Sequence, residues 1–238
     1  KAGHAGTLDP LASGLLPILL GDATRFSGYL LDAAKCYEAQ VRLGVTTTTA
    51  DAEGEVMERN PVAVSPAEVA AVAERFVGTQ SQVPPMHSAL KRDGTPLYVL
   101  ARRGESVERA PRTIRIYSID VLAFGEDQLA LRLACSKGTY IRTLAEDIGA
   151  ALGCGAHLAG LRRTATGAFQ LAEATTLDEL AALKEEARDL LLKPADGILR
   201  QLARIDLDAA VQARCCPGTA LALSPTPPGV RPVCARRG

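Results

Sequence analysis

Hydrophobic and polar positions alternate most regularly over KCYEAQVRLG, where Tyr37, Ala39, Val41 and Leu43 interleave with Cys36, Glu38, Gln40 and Arg42. That is the period-two pattern of a strand with one face in a core. The same alternation runs through residues 112–124 (RTIRIYSIDVLAF) and 128–135 (QLALRLAC), and the Gly125-Glu126-Asp127 break between them predicts an antiparallel hairpin. Residues 15–21 (LLPILLG) are apolar without alternation and bounded by turn residues, which predicts a buried strand; a helix follows from Asp22 through Leu31. Ser65-Pro66-Ala67-Glu68 combines a cap, a first-turn proline and a glutamate three residues on. It predicts a helix whose apolar face is Val69, Val72, Ala73 and Phe76. Further helices are predicted over residues 140–152, after a glycine turn, and from Thr176, where the sequence is acidic. Residues 45–56 (VTTTTADAEGEV) read as a loop returning into a short strand. QVPPMHSALKRDGTPLYVLARRG reads as an extended loop leading into a basic helix.

Composition bounds this picture. The 238 residues allow one substantial core and a small appendage. Hydrophobic content of 47% is ordinary, and no stretch approaches the roughly 18 apolar residues of a membrane span, so no membrane partner is expected. No signal peptide is visible, which makes the cytoplasm the expected compartment. Cys36, Cys135, Cys154, Cys215, Cys216 and Cys234 have neither C-x-x-C spacing nor paired histidines nearby, so free thiols are expected rather than zinc. Asp51 and Glu53 lack the other oxygens of a calcium loop, and no metal is assigned to them. Charge cancels in total, 27 basic against 27 acidic, but is unevenly spread: residues 84–115 hold seven Lys/Arg and three Asp/Glu, residues 171–196 three and seven. On charge alone the basic half fits a phosphate track as well as an ordinary solvated surface.

Candidate chemistry sits in the first 14 residues, KAGHAGTLDPLASG. Pro10 fixes its own φ and pushes the residue before it to extended backbone, so Asp9 stands at a rigid loop exit. From these residues alone the common reading is a turn or capping aspartate. The pattern K-x-G-H-x-G-T-L-D-P-x-A-x-G, however, resembles the signature of the bacterial tRNA pseudouridine synthase B family, in which the aspartate is the nucleophile. Other stretches carry the same resemblance: Lys35-Cys36-Tyr37 ahead of Leu43-Gly44, T-x-T-x-D-x-x-G around Asp51, C-x-K-G-x-Y-I-R-x-L-x-x-D-x-G from Cys135, and H-x-x-x-L-R-R-x-x-x-G-x-F from His157. So does PPMHSALK with its following LYVLAR, although His87 stands where the family more often has tyrosine and a hydroxyl is lost.

The resemblance implies an α/β chain of the α+β type. A catalytic core over residues 1–192 would have a mixed, largely antiparallel sheet flanked by helices. Residues 193–238 would begin a small, incomplete C-terminal RNA-binding (PUA-like) β domain, with a disordered tail rich in Pro and Arg from Ser224. The family places a D-K-P-x-G-x-T-S strand before the signature, so a core without its N-terminal strand is expected. The implied activity is isomerisation of the T-loop uridine at position 55 of tRNA, through a covalent Asp9 intermediate formed after the base is flipped out. Arg142 is implied beside Asp9, keeping the carboxylate charged, and Tyr37 is the third catalytic residue. Tyr37 and Tyr140 would hold the uracil, Leu161 would close the pocket, and His4 would stack in the vacated place. Lys91, Arg92, Arg102, Arg103 and Lys137 are expected on phosphates, and Arg162 and Arg163 are further candidates for that role. The implied partner is the T stem-loop of tRNA, bound by a monomer with no guide RNA; an isomerisation needs no redox cofactor, and none is expected. The alternatives are a non-catalytic tRNA-binding or folding module, an inactive fragment of such an enzyme, and a metabolic α/β protein with a structural Asp-Pro turn.

Overall fold

In the computed structural model, which describes residues 1–202, the chain enters through three short strands, β1 (Ala2–His4), β2 (Ala12–Gly14) and β3 (Ile18–Leu20), and a short helix, α1 (Ser27–Asp32). The alternating segment becomes β4 (Lys35–Leu43), followed by the ribbon β5 (Val45–Thr47) and β6 (Val56–Arg59), the helix α2 (Pro66–Arg75) and β7 (Gly78–Gln82). A small hairpin, β8 (Lys91–Arg92) and β9 (Thr95–Pro96), leads into α3 (Leu97–Arg102). The long hairpin of β10 (Arg112–Gly125) and β11 (Gln128–Cys135) precedes α4 (Ile141–Ala151), β12 (Ala156–Thr166) and β13 (Phe169–Gln170). Two short helices, α5 (Leu177–Ala182) and α6 (Glu185–Asp189), follow, and a 3-10 turn at Ala195–Leu199 comes after them. Lys1–Ala174 form one compact unit, and the described residues from Thr175 on belong to a second. From residue 203 on, the expected C-terminal β domain and its tail lie outside the described residues.

One sheet organises the first unit. Its strands run β13-β12-β4-β11-β10-β7, all antiparallel, and β2 adds to β12 in parallel, so the sheet is mixed and largely antiparallel as expected. Tyr37, Ala39, Val41 and Leu43 do share the core-facing side of β4, packed with Leu129, Leu131 and Leu133 of β11 and Leu158 of β12. Helices α2 and α4 cover that face. The opposite face is polar, with Arg132 of β11 paired across to Glu38 of β4 at 3.2 Å. The hairpin turns at Glu126 and Asp127, where the break in alternation placed it.

Local signals set the helices that matter for the site. Ser65 and Glu68 cap α2 reciprocally, and Val69, Val72 and Ala73 are its buried face. Helix α4 buries Ile141, Leu144, Ala145 and Ile148 along one stripe, the spacing of an amphipathic helix. It lies so close to β12 that a Cβ on Gly149 would meet the Cβ of Ala156 at 2.4 Å.

One expectation needs correcting. Within residues 15–21 only Ile18–Leu20 is strand, and it pairs with β1 alone. Ile18 and Leu20 are 58% and 48% exposed while Leu19 is buried. A two-stranded ribbon has only one face to cover, so a continuous apolar run was a poor guide to burial on both.

In the second unit, Thr176 and Glu179 form a capping box at the start of α5, as the sequence suggested. Arg188 closes that helix at its other end, donating to the carbonyls of Leu180 and Ala181. Among the described residues no helix is long and apolar enough to cross a membrane.

Candidate active site

The first turn of α4 aims Arg142 back over the strand ends. Its side chain is only 5% exposed, yet three segments distant in sequence converge on it. Nε lies 2.9 Å from Oδ2 of Asp9, and Nη1 lies 3.4 Å from Oδ2 of Asp51. Nη2 donates to the carbonyl of His87 at 2.7 Å, and Nη1 to that of Thr49 at 3.4 Å. The contact with Asp9 is ionic rather than a hydrogen bond, because the Nε–H finds no aligned acceptor. Asp9 keeps 39% of its side chain open to solvent. A carboxylate anchored on one side and open on the other is suited to attack a bound substrate.

Asp51, to which the sequence assigns no metal, is a buried partner of Arg142, 4% exposed in its side chain. Its Oδ1 accepts from Thr49 Oγ1 at 2.5 Å and from the backbone N–H of Glu53 at 3.0 Å. The loop carrying it is pinned to β12, with Leu158 N–H donating to Ala50 and Ala52 N–H donating to Leu158, each at 3.0 Å. Ala50 is held there at φ 62, a left-handed conformation that costs alanine roughly 1–2 kcal/mol and that these bonds must over-determine. The T-x-T-x-D spacing is thereby accounted for: Thr47 Oγ1 donates to the Asp51 carbonyl, and Thr49 Oγ1 to its carboxylate.

Tyr37 sits on β4 opposite Arg163 of β12 and Leu133 of β11. Its phenol is pushed above the ordinary range, chiefly by burial, with neighbouring Cys135 and the Asp9 carboxylate adding to the shift and the charge and hydrogen bond of Arg163 opposing it. The phenol therefore stays protonated beside Asp9. Tyr140 is the residue that begins α4, and the side chain of Gln82 binds its backbone twice, donating to its carbonyl at 3.0 Å and accepting from its N–H at 2.8 Å. Gln82 is buried, and sequence reasoning missed it because a lone glutamine at a strand end carries no signal. Leu161 is part-buried against the core, in register with Ala39 of β4 and Ala12 of β2.

His4 is exposed on β1, paired with Ile18. His87 contributes to the site through its backbone carbonyl, so exchanging tyrosine for histidine leaves that contact with Arg142 unaffected. Lys91 and Arg92 are exposed on the β8–β9 hairpin; Arg102 and Arg103 are exposed at the end of α3, where Arg102 lies over the Tyr98 ring at 5.5 Å. Lys137, also exposed, pairs with Asp32 at 2.8 Å. Arg163 does not have the surface position that a phosphate contact requires: it is buried and bonded to backbone carbonyls of the Asp9 loop, while its neighbour Arg162 is exposed. In β12 adjacent side chains face opposite sides, so a run of two arginines was bound to be divided in this way.

Residues 1–141 match the N-terminal domain of the TruB family of pseudouridylate synthases, and residues 142–200 match the tRNA pseudouridylate synthase B C-terminal domain. The chain is 58% identical over 227 residues to a tRNA pseudouridine synthase B of Ralstonia pickettii, covering 94% of this chain and 71% of the relative. It is 56% identical over 237 residues to that of Ralstonia nicotianae, covering 98% and 76%. Among solved structures it resembles one titled as a Cbf5-Nop10-Gar1 complex, at a TM-score of 0.64 and 33% identity over 83% of this chain; it spans 53% of that structure's chain. With the Asp9–Arg142–Asp51 cluster standing on the matched segments, the chain belongs to the TruB family of tRNA pseudouridylate synthases, isomerases that turn uridine into pseudouridine.

Proposed function

We propose that this chain converts the T-loop uridine at position 55 of tRNA into pseudouridine, with Asp9 as the nucleophile. The observation that carries the reading is a carboxylate 39% open to solvent whose other side rests 2.9 Å from a buried guanidinium. The reaction breaks the bond from ribose C1′ to uracil N1 and forms one from C1′ to C5. N1 gains a proton, and C5 loses one. No electrons leave the substrate, so a covalent carboxylate adduct suffices to hold one half while the base turns. Attack on the sugar carbon or on the base both satisfy this balance.

The remaining residues have roles consistent with their positions. Arg142 steadies the Asp9 carboxylate, Tyr37 and Tyr140 hold the uracil, and Leu161 closes over it. A uridine stacked in a folded loop must first be extruded, at a cost of a few kcal/mol. His4, exposed on β1, stacks where the base was. Lys91, Arg92, Arg102, Arg103 and Lys137 take the phosphates. Residues from 193 onward add affinity rather than chemistry, because none of the residues given a role in the pocket lies there. The chain works as a monomer in the cytoplasm, on tRNA alone. Identities of 56–58% to relatives named tRNA pseudouridine synthase B, against 33% to the Cbf5 complex, favour that over guide-directed modification.

Site mapping tests the reading. Incubation with a tRNA transcript should yield one pseudouridine, at position 55, and a transcript with cytidine there should yield none. Modification at other uridines, or none with intact tRNA binding, would overturn it; the second result favours a binding module.

A further inference from the structure

Arg163 is given no step in the reaction above, yet it is 1% exposed, among the most deeply buried large side chains. All three guanidinium nitrogens bond to the segment that carries Asp9, and the side chain also hydrogen-bonds the Tyr37 phenol, its register partner on β4. Nε donates to the carbonyl of Leu15 at 2.7 Å, Nη1 to that of Thr7 at 3.1 Å and Nη2 to that of Gly6 at 3.2 Å. Two of these carbonyls precede Asp9 in the chain and one follows it. The Arg163 backbone joins in as well, its carbonyl accepting the Leu15 N–H at 2.8 Å, in register with Gly14. Gly14 adopts φ +101, and a Cβ there would stand 2.3 Å from the Arg163 oxygen, so the loop exit can lie this close to β12 only through a glycine.

We propose that Arg163 is a positioning residue for the reaction: it ties both ends of the 6–15 loop to β12 and so holds Asp9 against Arg142 and beside Tyr37. The inference rests on Asp9 being the nucleophile. Asp9 makes one ionic contact through its own side chain, so its place depends on the backbone that carries it. A planar fork with donors on three nitrogens can meet three carbonyls at once, which an ammonium at one point cannot.

The test is Arg163→Lys, with Asp9→Asn run alongside. The lysine variant should bind tRNA within about threefold of the parent, while its single-turnover rate at saturating tRNA falls on the order of 100-fold, the usual effect of a displacement near 1 Å at a reacting group. Hydrogen exchange should accelerate within residues 5–15 while β4 and β11 keep their protection. Three results would overturn the inference: a parent-like rate with unchanged exchange, a rise in Kd accounting for the whole loss, or exchange accelerated throughout the chain. Should the lysine variant not fold, Arg163→Gln is judged by the same readouts, and failure of both to fold would reduce Arg163 to a core residue. If Asp9→Asn retains the parental rate, the nucleophile assignment falls, and exchange in residues 5–15 still decides whether Arg163 fixes the loop.

Discussion

Asp51 and Arg142, 91 positions apart in the sequence, form an ion pair with side chains only 4% and 5% exposed, Oδ2 to Nη1 at 3.4 Å. The same guanidinium reaches Asp9 through Nε, so one buried cation is shared between a buried carboxylate and a half-open one. Removing one partner of a buried pair strands the other charge away from water. Asp51→Ala should therefore destabilise the fold by about 3–5 kcal/mol, measured by urea unfolding, and lower turnover because Arg142 loses one of its anchors. Arg142→Lys should also cut turnover severely, since an ammonium cannot reach Asp9, Asp51 and the His87 carbonyl together. Parent-like stability of Asp51→Ala would show that the pair contributes little to the fold.

The Cys135 thiol gives a pH signature. Burial pushes it up to about 11 from an ordinary 9.0. The unfolded chain would release this proton first, so the stability it confers is fully present below about pH 9 and is lost as pH rises toward 11, a change of about 2–3 kcal/mol. Buried Lys35 is shifted down, chiefly by desolvation, and acts in the opposite sense, with stability rising as pH climbs toward 10.5. Comparing urea midpoints of the parent and Cys135→Ala between pH 8 and 11 isolates the thiol. Parallel curves would rule its contribution out.

Phosphate contacts release counterions, so tRNA affinity should fall with salt by a log–log slope of about −0.7 to −0.9 per contact. Removing Lys91, Arg92, Arg102 or Arg103 singly should reduce the slope by about that much. Lys137→Ala should do less, because its Nζ must first leave Asp32. A salt-independent affinity would sink the phosphate assignments.

Much of this arrangement was legible in the sequence. Strands β4, β10 and β11 announce themselves by strict alternation, and α2 by its cap and apolar face, because each half-buried element must repeat with its own period. The signature around Asp9 and the segment around Arg142 resemble parts of one family's site, and the two side chains do meet. What stayed hidden were contacts set by tertiary packing. Asp51 looks like any loop aspartate until β12 pins its loop beneath Arg142. Arg163 looks like a phosphate ligand because arginine type says nothing about which way a strand faces. Gln82 gives no sign that it holds the start of α4. The run at residues 15–21 misled for the opposite reason, since an apolar run records composition but not whether a second layer exists to cover it.

The central claim, that Asp9 supplies the nucleophile, is tested most directly by Asp9→Asn. The amide keeps size and polarity but not the attacking oxygen. Tritium release from C5-labelled uridine in tRNA, paired with filter binding of the same transcript, separates chemistry from binding. Release should fall to background while Kd stays within about threefold of the parent. Release near the parental rate would contradict the account, and loss of binding together with release would instead make Asp9 a turn residue whose replacement loosens the loop.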